Sequence, residues 1–245
     1  METTLPNLIL FEQVASTNQM AAEWLAEDQT AHGDFFLAEY QTAGRGYGQN
    51  SWFSSPSLNL LGTLLVSYKD FPAREQFLVT CVVSVVIADF IEEQTREKAF
   101  VKWPNDIYVN DKKICGLLIE NQMMGNELRL SLIGIGLNVN EPVFPHYLPQ
   151  AISMTQLDGK HRNIKAIATQ IGSNILHSLS SYDRACSFRE KYTERLYRLG
   201  ISSLYRVDAK TASGVIRGVD EFGRLLLHYD GKDLVLGFKE VEYVF

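Results

Sequence analysis

Residues 77–91 form the longest apolar stretch of the chain, and they limit what the rest can fold into. The stretch is too short to span a bilayer, and it contains Thr80, Ser84 and Asp89. It predicts a buried core helix within a helical segment from Pro72 to about Gln94, with Pro72 tolerated in the first turn. A helix apolar on all sides needs a large core around it. The chain supplies one: 245 residues, 46% hydrophobic and 11% aromatic, a globular composition.

Around this helix the patterns are mostly those of strands. Residues 8–11, 35–40, 59–67, 100–103, 106–109, 113–120 and 128–139 read as strands, with a turn at Asn110-Asp111-Lys112. Ser16 with Gln19 fits a capping box opening a helix to about Asp28, whose inner face is Met20, Ala21, Trp24 and Leu25. Residues 163–179 and 186–199 read as two further helices. Helices before, within and after a run of strands predict a mixed α+β layer fold, not βαβα alternation. Gly200 fits a helix C-cap and marks a boundary. Beyond it, segments 203–208, 214–220, 224–229, 234–238 and 240–245 read as five short strands, the texture of a small SH3-like β-barrel. The expected domains are therefore 1–199 and 200–245.

The formal net charge is −6, which argues against nonspecific nucleic-acid binding, since that runs on phosphate neutralisation by Lys and Arg. The three cysteines, Cys81, Cys115 and Cys186, are far apart and form no CxxC pair. Neither a zinc site nor a disulfide framework is expected, and a reducing cytoplasm fits best. Residues 1–10 carry no basic residue and do not read as a signal peptide, and no membrane association is expected.

Three segments carry chemistry. Residues 41–52 place Gly44, Gly46 and Gly48 directly after a strand, with Arg45 among them and Trp52 at the end. Such glycines let backbone N–H groups approach an anion, Arg45 suits carboxylate or phosphate, and Trp52 can stack on a base. The spacing is neither a Walker A loop nor a GxGxxG fingerprint. Lys102-Trp103-Pro104-Asn105-Asp106 ends an apolar strand on a lysine, which suits neutralisation of a reacting carboxylate and phosphate. Gly134, Gly136 and Asn138 mark close approach of a ligand or another backbone. Taken singly, the three read as well as a surface loop, an edge-strand lysine and a tight sheet crossing.

In this order, these segments resemble the biotin protein ligase family. The likeness runs through Ser16-Thr17-Asn18, the 41–52 loop, the 102–106 block, the 113–120 strand, residues 134–138 and the C-terminal barrel, so it covers nearly the whole chain. It implies a catalytic domain like that of class II aminoacyl-tRNA synthetases, followed by the SH3-like domain. It also implies formation of biotinyl-5′-AMP from biotin and ATP, then transfer of biotin to a lysine of a biotin carboxyl carrier protein. Ser16, Thr17, Asn18 and Gln41 would contact biotin, and Gly116 would border it. Arg45, Gly46 and Tyr47 would lie in the loop that closes over biotin and adenylate. Trp52 and Asn138 would belong to the ATP side. Lys102 would touch both the biotin carboxylate and the α-phosphate. The resemblance implies no protein-held metal; Mg²⁺ would arrive on the ATP phosphates.

The chain departs from the family where Tyr47 and Gly48 replace common arginines and Gln49 replaces a glycine; Lys112 and Lys113 are candidates for the missing charge. It begins almost at the catalytic domain, so no repressor activity is expected. A long exposed strand would support a homodimer. The rival readings are a lipoate or octanoate ligase, a non-catalytic biotin- or nucleotide-binding regulator, and a carrier-binding scaffold.

Overall fold

The computed structural model describes residues 5–46, 48 and 50–245. Its larger sheet holds β1 (Asn7–Val14), β2 (Asp34–Gln41), β3 (Leu60–Ser67), β4 (Phe100–Lys102), β5 (Asp106–Val109), β6 (Lys112–Met124) and β7 (Glu127–Leu137). The strand order is β1-β2-β3-β7-β6-β5-β4. β1 and β2 run parallel, and every other neighbouring pair is antiparallel. Helices α1 (Thr17–Ala26), α2 (Phe77–Thr95), α3 (Met154–Asp158), α4 (Ile164–Ser178), α5 (Tyr182–Cys186) and α6 (Phe188–Glu194) complete this part. The chain then forms β8 (Ser202–Val207), β9 (Lys210–Val219), β10 (Leu225–Tyr229), β11 (Lys232–Leu236) and β12 (Glu242–Tyr243). These make a second, antiparallel sheet in the order β11-β10-β9-β8-β12. The expected mixed α+β architecture is what the chain adopts.

The apolar 77–91 stretch explains the layering. Nearly every turn of α2 is buried, Leu78, Val82, Val85, Val86 and Ile91 among them. It packs against α4 and α6 on the face of the sheet that presents Leu64, Leu117, Ile133 and Ile135. The opposite face is covered more thinly by α1, where Ala21, Met20, Trp24 and Leu25 meet Phe36, Leu65 and Leu132, as the apolar spacing of that helix requires. One core runs through both sheets, since Tyr205, Ile216, Leu225 and Leu227 belong to the cluster that surrounds α2. Gly200, the expected boundary, has φ 71°, a conformation that favours glycine. No helix among the described residues is long and apolar enough to cross a membrane.

Several local expectations are corrected. Ser16 makes no side-chain cap bond, and Gln19 instead donates to Glu23 Oε1 at 2.9 Å. The first N–H of α1, that of Thr17, is satisfied from β2 by Gln41 Oε1 at 2.7 Å. A reciprocal capping box stands at Ser153 and Gln156 instead, opening α3. The helical segment from Pro72 is split into a 3-10 turn at Ala73–Glu75 and α2. The 186–199 helix is reduced to α6, preceded by the end of α5 at Cys186 and followed by an exit of turns and bridges from Arg195 to Leu199. There the Val101 N–H donates to Arg195 O and the Tyr197 N–H to Val101 O, both at 2.8 Å. The exit thus satisfies the open edge of β4, which a continued helix would leave unpaired.

Just beyond β7, Glu141 is only 2% exposed. Its carboxyl accepts from Ser55 N (3.0 Å), Ser55 Oγ (2.8 Å) and Asn59 Nδ2 (2.8 Å). Asn59 Oδ1 in turn accepts from the Val139 N–H at 2.8 Å. This network anchors the segment after the glycine loop to the end of β7. Glu141→Ala removes the acceptor of two half-buried donors on Ser55 and of the buried Asn59 amide, which keeps Ser54 Oγ at 3.1 Å, and is expected to cost about 2 kcal/mol; Glu141→Gln, which keeps one acceptor, is expected to cost distinctly less. Urea unfolding checks both, and equal loss in the two variants would contradict the assignment.

Candidate active site

The site lies on the α1 face of the larger sheet, where the strands carry glycine instead of bulk. Gly116 and Gly136 are direct cross-strand partners, and Gly134 sits between Leu118 and Thr63. A Cβ on Gly136 would come within 2.7 Å of the Trp52 indole, and one on Gly116 within 2.9 Å. A Cβ on Gly134 would collide with Asn18 Oδ1. The glycines therefore let Trp52 and Asn18 lie directly on the sheet. Trp52 is returned there by a tight loop: Gly46 N–H donates to Asn50 O (2.7 Å) and Trp52 N–H to Gly44 O (2.9 Å). Arg45 and Ser51 form a bridge across it.

Above this floor opens a cavity of about 740 Å³, within the range of small-molecule sites. It brings together Ser16, Thr17, Asn18, Gln41, Arg45, Gly46, Trp52, Lys102 and Gly116 of the expected site residues. Tyr47 lies outside the described residues. Asn138 is not brought to the cavity. It is buried behind the sheet end with Nδ2 donating to Ile152 O at 3.0 Å, because the turn after β7 uses that amide to fix the segment leading to α3. Lys112 is exposed and does not line the cavity, whereas Lys113 does.

The polar end of the cavity is built around Thr63, a buried hydroxyl in the otherwise apolar β3. Its Oγ1 is 2.6 Å from Asn18 Oδ1 and 2.8 Å from Thr17 Oγ1. Asn18 Nδ2 donates to Glu120 Oε2 (2.8 Å) and Leu118 O (3.2 Å), so its amide is satisfied by protein. Gln41 Oε1 is occupied by Thr17 N and by Thr17 Oγ1, at 3.1 Å. Gln41 Nε2 and the Ser16 hydroxyl have no hydrogen-bond partner among the described residues, so they remain available to a ligand.

The other end is cationic. Arg45, Lys102, Lys113 and Lys239 line the cavity with only two carboxylates, Asp106 and Glu242. Both carboxylates are engaged, Asp106 by Lys113 at 2.6 Å and Glu242 by Arg206 at 2.8 Å. Lys113 also lies over the Trp52 ring, 5.4 Å from its centroid. Lys102, at the end of β4, has no ion-pair partner among the described residues. Burial is the main influence on its ammonium and lowers its pKa; nearby Asp106 opposes this, and Lys113 and Arg198 reinforce it. In a chain with net charge −6, a pocket with surplus positive charge is suited to an anionic ligand.

Thr63 left one trace in the sequence, a polar residue inside an apolar strand. Lys239 and Tyr243 left none, because their place depends on how the second sheet docks. That docking is direct: Trp103 Nε1 donates to Gly223 O at 2.8 Å, and a Cβ on Gly223 would run into the Phe77 ring. Among the described residues no group of three His, Cys, Asp or Glu side chains is arranged to hold a metal.

The glycine floor is testable. Gly136→Ala must push the Trp52 ring off the sheet and is expected to lower stability by about 2 kcal/mol. In a Trp52→Ala background the same substitution is expected to cost little, so the two effects are strongly non-additive. Additive losses in denaturant unfolding would contradict the contact.

Comparison with known proteins shows the family and the fold of the chain. The model of the biotin/lipoate A/B protein ligase family matches residues 10–138, more than half of the chain. The bifunctional ligase/repressor BirA of Bacillus subtilis is 31% identical over 235 residues, covering 89% of this chain and 69% of that protein. The biotin–[acetyl-CoA-carboxylase] ligase of Mycobacterium tuberculosis is 25% identical, covering 95% of this chain and 87% of that one. Among solved structures, the biotin protein ligase of Aquifex aeolicus in complex with biotin and ATP superposes with a TM-score of 0.79 at 24% identity. That likeness covers 97% of this chain and 99% of the other, and it shows a shared fold. The chain belongs to the biotin/lipoate A/B protein ligase family.

Proposed function

We propose that this protein is an ATP-dependent biotin protein ligase that makes biotinyl-5′-AMP and passes biotin to a lysine of a biotin carboxyl carrier domain. The observation that carries the reading is one cavity with two unlike ends. The hydroxyl and amide end, with Ser16 and Gln41 Nε2 available, suits a ureido ring. The cationic end suits a carboxylate next to a polyphosphate. An alkyl chain ending in a dithiolane or methyl group has no use for the first end, which favours biotin over lipoate or octanoate. The names of the relatives point the same way.

In the first step a biotin carboxylate oxygen attacks the α-phosphorus of ATP, and pyrophosphate leaves. Two anions must meet, so fixed positive charge at the meeting point lowers the barrier most. Lys102, half-buried and without an ion-pair partner among the described residues, takes that position in the reading. Arg45, Lys113 and Lys239 spread the remaining charge, which relieves the lack of further arginines in the 44–50 loop. Mg²⁺ would come with the ATP phosphates and supply Lewis-acid stabilisation there. In the second step the carrier lysine attacks the acyl carbon and AMP leaves. The mixed anhydride is water-sensitive, so the loop bearing Arg45 serves to cover it.

The direct test is mass spectrometry of a carrier domain incubated with this protein, biotin, ATP and Mg²⁺; a gain of one biotinyl group is expected, and no gain would overturn the reading. Lys102→Ala is expected to lower pyrophosphate exchange by about a thousandfold, in the range of losing a main electrostatic group. Arg45→Ala is expected chiefly to speed release of biotinyl-AMP, read by its capture in solution. An unchanged dissociation rate would contradict a covering role for Arg45.

A further inference from the structure

A lysine side chain is a point charge on a flexible four-carbon stem. In an open cavity it needs something to hold it. The common solution, an adjacent carboxylate, would also cancel the charge that an incoming anion must feel. The cross-strand neighbour of Lys102, Asp106, is ion-paired to Lys113, and aromatic rings stand next to the Lys102 ammonium. Its Nζ lies 4.7 Å from the centroid of the Tyr243 ring and 5.5 Å from that of Tyr108. Aromatic faces attract an ammonium through the ring quadrupole and leave its net charge intact.

The two rings come from different parts of the fold. Tyr108 is on β5, beside Lys102 in the same hairpin. Tyr243 is on β12, the last strand of the second sheet, and it lines the cavity. It is fixed from several sides. It pairs with Tyr205 on β8, whose ring meets it edge-on at 5.3 Å, and it lies 6.2 Å from the Tyr197 ring. The residue after it is tied down too: Val244 N–H donates to Leu204 O at 3.0 Å.

We propose that Tyr243 is a positioning residue for Lys102, through which the C-terminal sheet takes part in adenylate formation. The inference rests on the role assigned to Lys102 above. It concerns the ring face, not the phenolic hydroxyl, which is buried without a hydrogen-bond partner.

The test is steady-state biotin- and ATP-dependent pyrophosphate exchange with Tyr243→Leu and Tyr243→Phe. Tyr243→Leu is expected to lower kcat about tenfold, equivalent to about 1.4 kcal/mol, with KM for biotin and for ATP within about twofold of the parent. Tyr243→Phe keeps the ring and is expected to stay within about twofold of the parent in kcat. A purely structural role would lower the thermal midpoint without this split between kcat and KM. Should Tyr243→Leu fail to fold, Tyr243→Met fills similar space without a π face and is expected to behave as stated for Leu. Parental kcat in the folded ring-less variant overturns the inference, and so does a loss in Tyr243→Phe as large as in that variant. Lys102→Ala run alongside separates the two layers. If it retains full exchange, the role of Lys102 itself is wrong. If it is inactive while the ring-less variant matches the parent, only the positioning role of Tyr243 falls.

Discussion

The site depends on a half-buried ammonium, that of Lys102, which makes no ion pair among the described residues. Removing a charge from water is costly, and proteins usually offset that cost with an opposite charge. At Lys102 the offset is only partial, from two aromatic rings and the field of Asp106, while Lys113 and Arg198 act against it. The remaining deficit is one that a carboxylate or phosphate would relieve. In the proposed reaction this is the point where two anions would be brought together, which is the electrostatic requirement of acyl-adenylate chemistry.

The rest of the fold can be understood as the support for that charge. The α2 layer braces one face of the larger sheet so that the other can be thinned to glycine at Gly116, Gly134 and Gly136 without losing its shape. Trp52 and Asn18 then rest on the strands and set the floor and one wall of the cavity. The exit from α6 completes β4 at Val101, one residue before Lys102. The second sheet closes the far side, delivering Lys239 and Tyr243. Because one apolar core joins both sheets, the C-terminal residues are part of the site's architecture and not an appendage to it.

Much of this was legible in the sequence because it is written in local patterns. The apolar 77–91 stretch, the alternating strands and the Asn110-Asp111 turn, whose residues have φ 50° and 60°, depend on neighbours along the chain. The segments around Ser16, Arg45, Lys102 and Gly136 are each weak alone and stood out only through their combined likeness to the biotin protein ligase family. What escaped depends on distant partners. Gln41 caps α1 from another strand, so Ser16 is left for the cavity and the apparent capping box does not form. Asn138, expected on the ATP side, lies outside the cavity lining, where its Nδ2 donates to the Ile152 carbonyl and its Oδ1 is buried without a partner among the described residues. The 186–199 pattern is helical in itself, but the open edge of β4 outcompetes the last turns. Tyr243 carries no local mark, since its function comes only from where β12 lands.

The charge on Lys102 can be followed directly by NMR titration of its ¹⁵Nζ, in the free protein and with a non-hydrolysable biotinyl-AMP analogue. In the free protein burial holds the pKa below the ordinary lysine value, so the ammonium is lost at lower pH than in solution. An anion beside it favours the charged form, so the pKa is expected to rise on binding, with proton uptake at pH values between the two titrations. A Lys102 pKa unmoved by the analogue would contradict a central place for this ammonium in the site.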